Sequence, residues 1–270
     1  MKIKTLNELL IENNDIYILE CHQDLIIVNN NYSGINLYNF DFELQHSIDI
    51  FENLIIHSVF KNPDRSEIML YCPDNQVFIY VNLITKHQRK LEFTGDLEEY
   101  GLSNVYYWYE QEFVFLCGNK KIYRINTKLL SLDILEPSKV EIRYRSFNQI
   151  LKDSRGFSLL TGDASSLIYE DTKNNELVYW NYSKNTRIVS KIPNGLGHQV
   201  IYLHNVFLSV HEKYIQAIKD GQEVARVDSA TSFMFLRARQ QSEYSNEFMV
   251  LRGRKSNVEE CKITKYGIFN

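Results

Sequence analysis

The sequence predicts an all-β fold assembled from repeated four-stranded units, and three observations carry that prediction. First, "EIMLYCPDNQVFIYV" at 67–81 and "EFVFLCGNKKIYRIN" at 112–126 align without gaps at an offset of 45 residues, matching Glu67 with Glu112 and Cys72 with Cys117. Second, hairpins of the same make-up, two apolar runs around a polar turn, recur along the chain. Third, aromatic residues make up 13% of the 270 residues, with 18 Tyr and 15 Phe, and such side chains suit pleated, half-buried surfaces. With 44% hydrophobic residues, 4 Pro and 11 Gly, the composition is that of a globular chain without a collagen-like or linker-like tract.

The hairpins in order are "DLIIVNNNYSGINLYNF" from Asp24, the two repeats above, "SSLIYEDTKNNELVYWNY" from Ser165, "VFLSVHEKYIQAI" from Val206 and "EFMVLRGRKSNVEECKI" from Glu247. Apolar residues near the start of each, Leu25, Ile68, Phe113, Leu167, Phe207 and Phe248, are spaced by 43, 45, 54, 40 and 41 residues. An apolar run precedes each hairpin: "IYILEC", "IIHSVF", "VYYWY", "FSLLTG", "VIYLH" and "SFMFLRA". These predict innermost strands packed on both faces. After most hairpins comes an alternating run, as in "QHSIDI", "QRKLEF", "LSLDIL" and "TRIVSKI", whose charges suit an outermost strand that must discourage edge pairing. A period of about 40 to 50 residues with four strands per unit is the signature of propeller blades. The expectation is therefore a single β-propeller domain over 1–270 with six blades of about four antiparallel strands. Neighbouring blades bury each other's faces, which places Cys72 and Cys117 at one buried interblade position.

The ends of the chain leave two ways to complete the last blade. "KYGIFN" after the sixth hairpin is a short candidate for its outermost strand, and "KIKTL" at 2–6 is another that would join the two ends. Thr5 and Glu8 also fit a capping box, and Leu6, Leu9 and Leu10 have helical spacing, which predicts a short helix over 6–13. The long fourth interval carries an insertion of about ten residues around "EPSKVEIRYRSFNQILKDSRG", and insertions in repeat proteins map to loops on one face.

The chain resembles small six-bladed propellers in architecture across nearly its whole length. It carries Gly197-His198 without the Trp-Asp of WD40 repeats, and it has neither kelch double glycines nor sialidase boxes.

Charge narrows the function classes. The net charge is −4, and no Lys/Arg run forms the basic stripe a nucleic-acid binder uses to displace counterions. "RYR" at 143–145 and "RGRK" at 252–255 are expected on solvated turns or strand edges. Glu8, Glu12 and Asp15 interrupt any leader-like apolar stretch, and no apolar run is long enough to cross a membrane as a helix, so the expected location is the cytoplasm. Cys21, Cys72, Cys117 and Cys261 form no CxxC pair and are expected as reduced, buried thiols. His22, His46, His57, His87, His198, His204 and His211 show no HxH or HExxH spacing, and no phosphate loop or nucleophile elbow occurs, so no metal or cofactor is expected. "NGLGH" at 194–198 follows Pro193 and predicts a turn. Asp153 and Asp163, each beside a glycine near an innermost strand, are the best candidates for carboxylate catalysis, and turn chemistry explains both equally well.

One segment stands out. "TGDLEEYGLSNVYYWYEQE" at 94–112 joins one blade to the next, on the face that also carries the turn with Asp74. Asp96, Glu98 and Glu99 put three carboxylates beside Tyr100, followed by Tyr107, Trp108, Tyr109 and Glu110. Tyr and Trp supply rigid contact area with a polar tip, and acidic neighbours favour a basic partner. These nine residues are the expected protein-binding site. The bland explanation is that alternate residues of "VYYWY" are core and the glutamates ordinary solvated charges. In format and charge, a stand-alone, mildly acidic chain with an acidic-aromatic loop, it resembles the immunity proteins of bacterial toxin–immunity systems. That resemblance implies a non-catalytic protein, monomeric on its own, that neutralises a basic toxin or nuclease domain without touching nucleic acid or membrane. The alternative is a carbohydrate-active enzyme or lectin using channel carboxylates and aromatic stacking.

Overall fold

The computed structural model describes residues 1–95, 97, 102–117, 121–135, 157–162, 166–181, 184–192, 195–241 and 245–270. The fold is all-β and of the six-bladed propeller class: six four-stranded antiparallel sheets. The first sheet holds β2 (Leu19–His22), β3 (Leu25–Asn30), β4 (Gly34–Asn39) and β5 (Leu44–Asp49), and the second β6 (Ser58–Lys61), β7 (Glu67–Cys72), β8 (Val77–Asn82) and β9 (Gln88–Glu92). The third holds β10 (Leu102–Tyr109), β11 (Glu112–Cys117), β12 (Ile122–Asn126) and β13 (Ser131–Leu135), and the fourth β14 (Phe157–Gly162), β15 (Ser166–Asp171), β16 (Glu176–Asn181) and β17 (Thr186–Lys191). The fifth holds β18 (Gln199–Leu203), β19 (Val206–Val210), β20 (Tyr214–Lys219) and β21 (Gln222–Asp228). The sixth takes β22 (Phe233–Gln240), β23 (Glu247–Arg254) and β24 (Asn257–Phe269), and adds β1 (Lys2–Ile11) from the other end of the chain.

Burial follows strand position. All of β2 and β7 is buried, whereas five of the six residues of β5 are exposed. The repeated glutamate has a local task at the start of second strands. Glu67 accepts a hydrogen bond from Asn62 at 3.0 Å, Glu112 pairs with Arg124 at 3.2 Å, and Glu247 with Lys265 at 3.1 Å. A second recurrence went unread in the sequence. Asn39, Asn82, Asn126 and Asn181 end the third strands of four sheets, and each side-chain oxygen accepts backbone N–H groups from the turn that follows. This is an Asx turn, in which the side chain stands in for a backbone acceptor.

The N-terminal stretch is a strand, and the helix expected over 6–13 does not form. β1 pairs with β24 from Lys2↔Phe269 to Ile11↔Cys261, with a bulge at Leu6. The bulge reverses the side-chain alternation. Ile3 therefore packs with one core cluster beside Ile268, while Leu9 and Ile11 pack with another beside Ile263 and Cys261. That reversal broke the strand pattern and made the leucine spacing look helical. "KYGIFN" is likewise the end of β24, an interior strand, and β1 is outermost. Arg252, expected on a solvated turn or edge, is 6% exposed; its Nη1 donates to Glu8 of β1 at 2.8 Å.

Two compact units divide the chain: Met1–Leu54, Asn175–Leu177 and Val189–Asn270 form one, and Ile55–Asn174 with Val178–Ile188 the other. In the first unit, the fifth and sixth sheets share a cluster of Leu208, Ile215, Phe235, Val250 and Tyr266, and the sixth and first share Leu19, Ile26, Leu251 and Ile263. In the second unit, the second and third sheets share a cluster built on rings: Phe60, Tyr71, Phe78, Tyr106, Trp108 and Phe113. All four cysteines are buried thiols outside any disulfide. Burial, then Asp74, pushes the Cys72 thiol up to about 12. No helix among the described residues is long and apolar enough to cross a membrane.

Candidate contact surface

An up-and-down meander puts the turn between its second and third strands at the same end as the connectors to its neighbours. In the second sheet that turn is a single 3-10 turn, Pro73–Asn75, closed by Gln76 in the left-handed region at φ 54°. Both flanking connectors are tied to it. Ile55 N–H donates to Asn75 Oδ1 at 3.0 Å, and Phe93 N–H donates to the Gln76 carbonyl at 3.0 Å. Asp74 projects from this turn toward His57, with Oδ2 to Nε2 at 2.7 Å and both side chains 51% exposed. The His57 ring stands edge-on to Tyr71, and the Tyr71 hydroxyl donates to the Leu97 carbonyl at 3.0 Å. Burial is the main cause that lifts the Tyr71 phenol to about 12.

The first sheet repeats this device with different side chains. Asp15 N–H donates to Asn31 Oδ1 at 2.8 Å, as Ile55 does to Asn75. Asn29 anchors the same connector by accepting from the N–H groups of Tyr17 and Ile18 at 2.9 and 2.8 Å. On this frame the Tyr32 hydroxyl donates to Asp15 Oδ2 at 2.5 Å, and the rings of Tyr17 and Tyr32 stack at 5.9 Å. Tyr32 is 43% exposed. The Asp15 carboxylate holds its phenol up at about 12. The result is a partly exposed acid–tyrosine patch, with Asp15 and Tyr17 half-buried and its geometry set by asparagines.

At the corresponding end of the fifth sheet, residues 195–198 of "NGLGH" lie in the segment leading into β18; Asn194 lies outside the described residues. Gly197 is required there, because a Cβ would lie 1.8 Å from the Val210 carbonyl oxygen. Its N–H donates to Ser209 Oγ at 2.7 Å, and that oxygen lies 3.2 Å from His211 Nε2. Ser209 is fully buried, so this serine–histidine pair is a structural link. The His211 ring stacks on Tyr214 at 4.1 Å, and Arg226 covers the Tyr214 ring at 3.8 Å. Burial, followed by the charges of His198 and Arg226, pushes His211 below its ordinary value.

The residues expected to bind a partner fall in three places. Asp74 is exposed at the turn end of the second sheet. Asp96, Glu98, Glu99 and Tyr100 lie outside the described residues; Leu97, between them, is buried and held by Tyr71. Tyr107, Trp108 and Tyr109 run along β10 toward its turn with β11, and Glu110 sits in that turn. That turn is at the opposite end of the sheet, and a strand of eight residues spans roughly 25 Å. Trp108 is 2% exposed and packs against Phe113, so it is core; Tyr107 is half-buried, and Tyr109 and Glu110 are exposed. Asp153 and Asp163 also lie outside the described residues. Sequence reasoning missed Asp15, Tyr17 and Tyr32, although the asparagine clusters "NND" before Ile16 and "NNN" before Tyr32 marked a hydrogen-bonded frame.

Among the described residues, no group of three or more His, Cys, Asp or Glu could hold a metal ion. No protein-family model matches the chain, and no curated protein matches it.

Proposed function

We propose that the protein is a non-catalytic binding module that takes a basic protein partner on the turn-and-connector end of its sheets. In its sharper form it is an intracellular immunity protein that neutralises a cationic toxin domain such as a nuclease. The observation that supports this best is the acid–tyrosine patch of the first sheet. There the exposed Tyr32 of the β3–β4 turn meets half-buried Asp15 and Tyr17 of the connector, which four asparagine hydrogen bonds fix in place. Preorganised aromatic area with an acidic neighbour suits an interface, since little side-chain entropy remains to be lost on binding. Asp74, half-exposed on an equally tied turn, supplies the same charge in the second sheet.

The test uses the toxin-like product of a neighbouring reading frame. Association rates are measured for the wild type, for Asp15→Lys in one unit, and for Asp74→Lys and Asp96→Lys/Glu99→Lys in the other. Reversing charge on a steering patch should slow association by roughly tenfold or more at low salt and flatten its salt dependence. Unchanged kinetics in all three variants would reject the proposal. The Tyr17–Tyr32 stack also suits a sugar ring. Glycan-array binding lost in Tyr32→Ala but kept in the charge reversals would favour the carbohydrate reading.

A further inference from the structure

The first strands of the first unit carry charge inside runs that are otherwise apolar. β22 lies against β18 on one side and β2 on the other. The Gln199 side chain of β18 binds the edge of β22 at Ala238, accepting from its N–H at 2.8 Å and donating to its carbonyl at 3.0 Å. Across on β2, Glu20 is 8% exposed and accepts from Arg239 Nε and Nη2 at 2.7 and 2.6 Å. Arg239 Nη1 donates to the Ala238 carbonyl at 2.9 Å, so this guanidinium is used on both sides. Arg237 stands two residues away, at the β22 bulge between Phe235 and Arg237. It is half-buried; its backbone belongs to the β22–β23 ladder opposite Leu251, and among the described residues no hydrogen bond or ion pair reaches its side chain. Among the described residues, the two guanidinium groups thus share the neighbouring Glu20 carboxylate.

We propose that Arg237, with the Arg239–Glu20 pair beside it, forms a binding site on β22 and β2 for a small oxyanion, a carboxylate or phosphate group. Arginine stays protonated in proteins, so Arg237 cannot relieve its desolvation by losing its charge. Burial chiefly, and then the charge of Arg239, press its pKa down while Glu20 presses it up, the balance of a cation short of a counter-charge. Five N–H donors in a planar fork match the oxygen spacing of a carboxylate or phosphate. The Glu20 pair serves as a positioning element: it holds Arg239 rigid and keeps its donors from folding over the open group. The site is independent of the turn-end surface proposed above.

The test compares the full-length wild type with Arg237→Met, which keeps the apolar stem and deletes the charge, and with Arg237→Lys. Calorimetric titration with inorganic phosphate and with acetate, at constant ionic strength, separates the two sources of the same chemistry. The expected result is saturable one-to-one binding of at least one probe by the wild type. It should weaken roughly tenfold or more in Arg237→Met and less in Arg237→Lys. In anion-poor buffer Arg237→Met should melt at or above the wild-type temperature, because an unpaired, desolvated charge has been removed. Absence of saturable binding by both probes overturns the proposal, as does binding that survives Arg237→Met unchanged. A lower melting temperature in Arg237→Met without any probe-dependent shift in the wild type assigns Arg237 a structural role and overturns it equally.

Discussion

The second sheet, drawn without interruption from residues 58–92, packs on a dense cluster of aromatic rings; the sixth, drawn from both ends of the chain, packs on aliphatic side chains around the three rings of Phe235, Phe248 and Tyr266, and is crossed by buried charge. Phe60 and Phe78 of the second sheet meet rings of the third at centroid distances of 5.1 Å for Phe60–Phe113 and 5.3 Å for Phe78–Phe115, and Tyr71 and Phe93 pack on Phe78 behind them. In the sixth, Arg252 is buried, and its Nη1 donates to Glu8, which also accepts from Thr264 and Lys262. The difference follows from connectivity. Short turns set the register of the second sheet: the 3-10 turn before β8 and the Asn82 turn before β9 leave little room for slippage. No turn joins β1 to β24, so their register has to come from the pairing itself. A one-residue slip would move Glu8 to the wrong face and strand Arg252 without its carboxylate, an expensive error in a buried site.

This contrast can be broken in the ring cluster that the second sheet shares with the third, or in the sixth sheet. Phe113→Ala removes a fully buried ring that Phe60, Tyr106, Trp108 and Phe115 all touch. It should cost about 3–5 kcal/mol in denaturant unfolding. Glu8→Ala in the sixth sheet should cost less, about 1–3 kcal/mol for a charged hydrogen bond lost to a buried arginine. If the pair serves register, Glu8→Ala/Arg252→Met should be milder than the sum of the single changes, because no lone charge is left behind. Additive losses would show that the two groups act separately.

Alkaline pH sharpens the contrast with smaller effects. Tyr71 and Tyr80 of the second sheet are held at about 12 against an ordinary 10, and Cys72 at about 12 against 9, with burial the first cause in each. A raised folded pKa favours the protonated form in the native state. Its contribution is therefore complete below the unfolded value and is lost as pH climbs through the folded one. Stability should fall between about pH 9 and 12. Tyr71→Phe, which removes one of the three groups, should make that fall shallower, and an unchanged slope would contradict the assignment.

Much of the fold was legible because hairpins repeat. A pair such as Glu67 and Glu112 sits in equivalent strands, so its spacing is the spacing of the sheets themselves. The asparagines closing third strands carry the same period, spaced by 43, 44 and 55 residues, and would have sharpened the reading. "KIKTL" at 2–6 was legible as a strand completing the last sheet from the other chain end; what hid the rest of β1 was the bulge at Leu6, since one extra residue reverses the faces on which Ile3 and Leu9 lie. The contact surface was less legible. "VYYWY" reads as one aromatic block, but pleating sends Trp108 into the core, and strand length carries Tyr109 away from the connector. Glu20, Arg237 and Arg239 left a signal that went unused: charge inside an apolar first strand has to meet a partner or await one.

Hydrogen exchange across the two chain ends tests most directly that they build one sheet. In an edge strand about half the amides face the neighbouring strand, so peptides spanning residues 2–11 should keep roughly that share protected, exchanging as slowly as peptides from β24. Full exchange of residues 2–11 at the rate of an unstructured chain, with β23 and β24 still protected, would contradict the account.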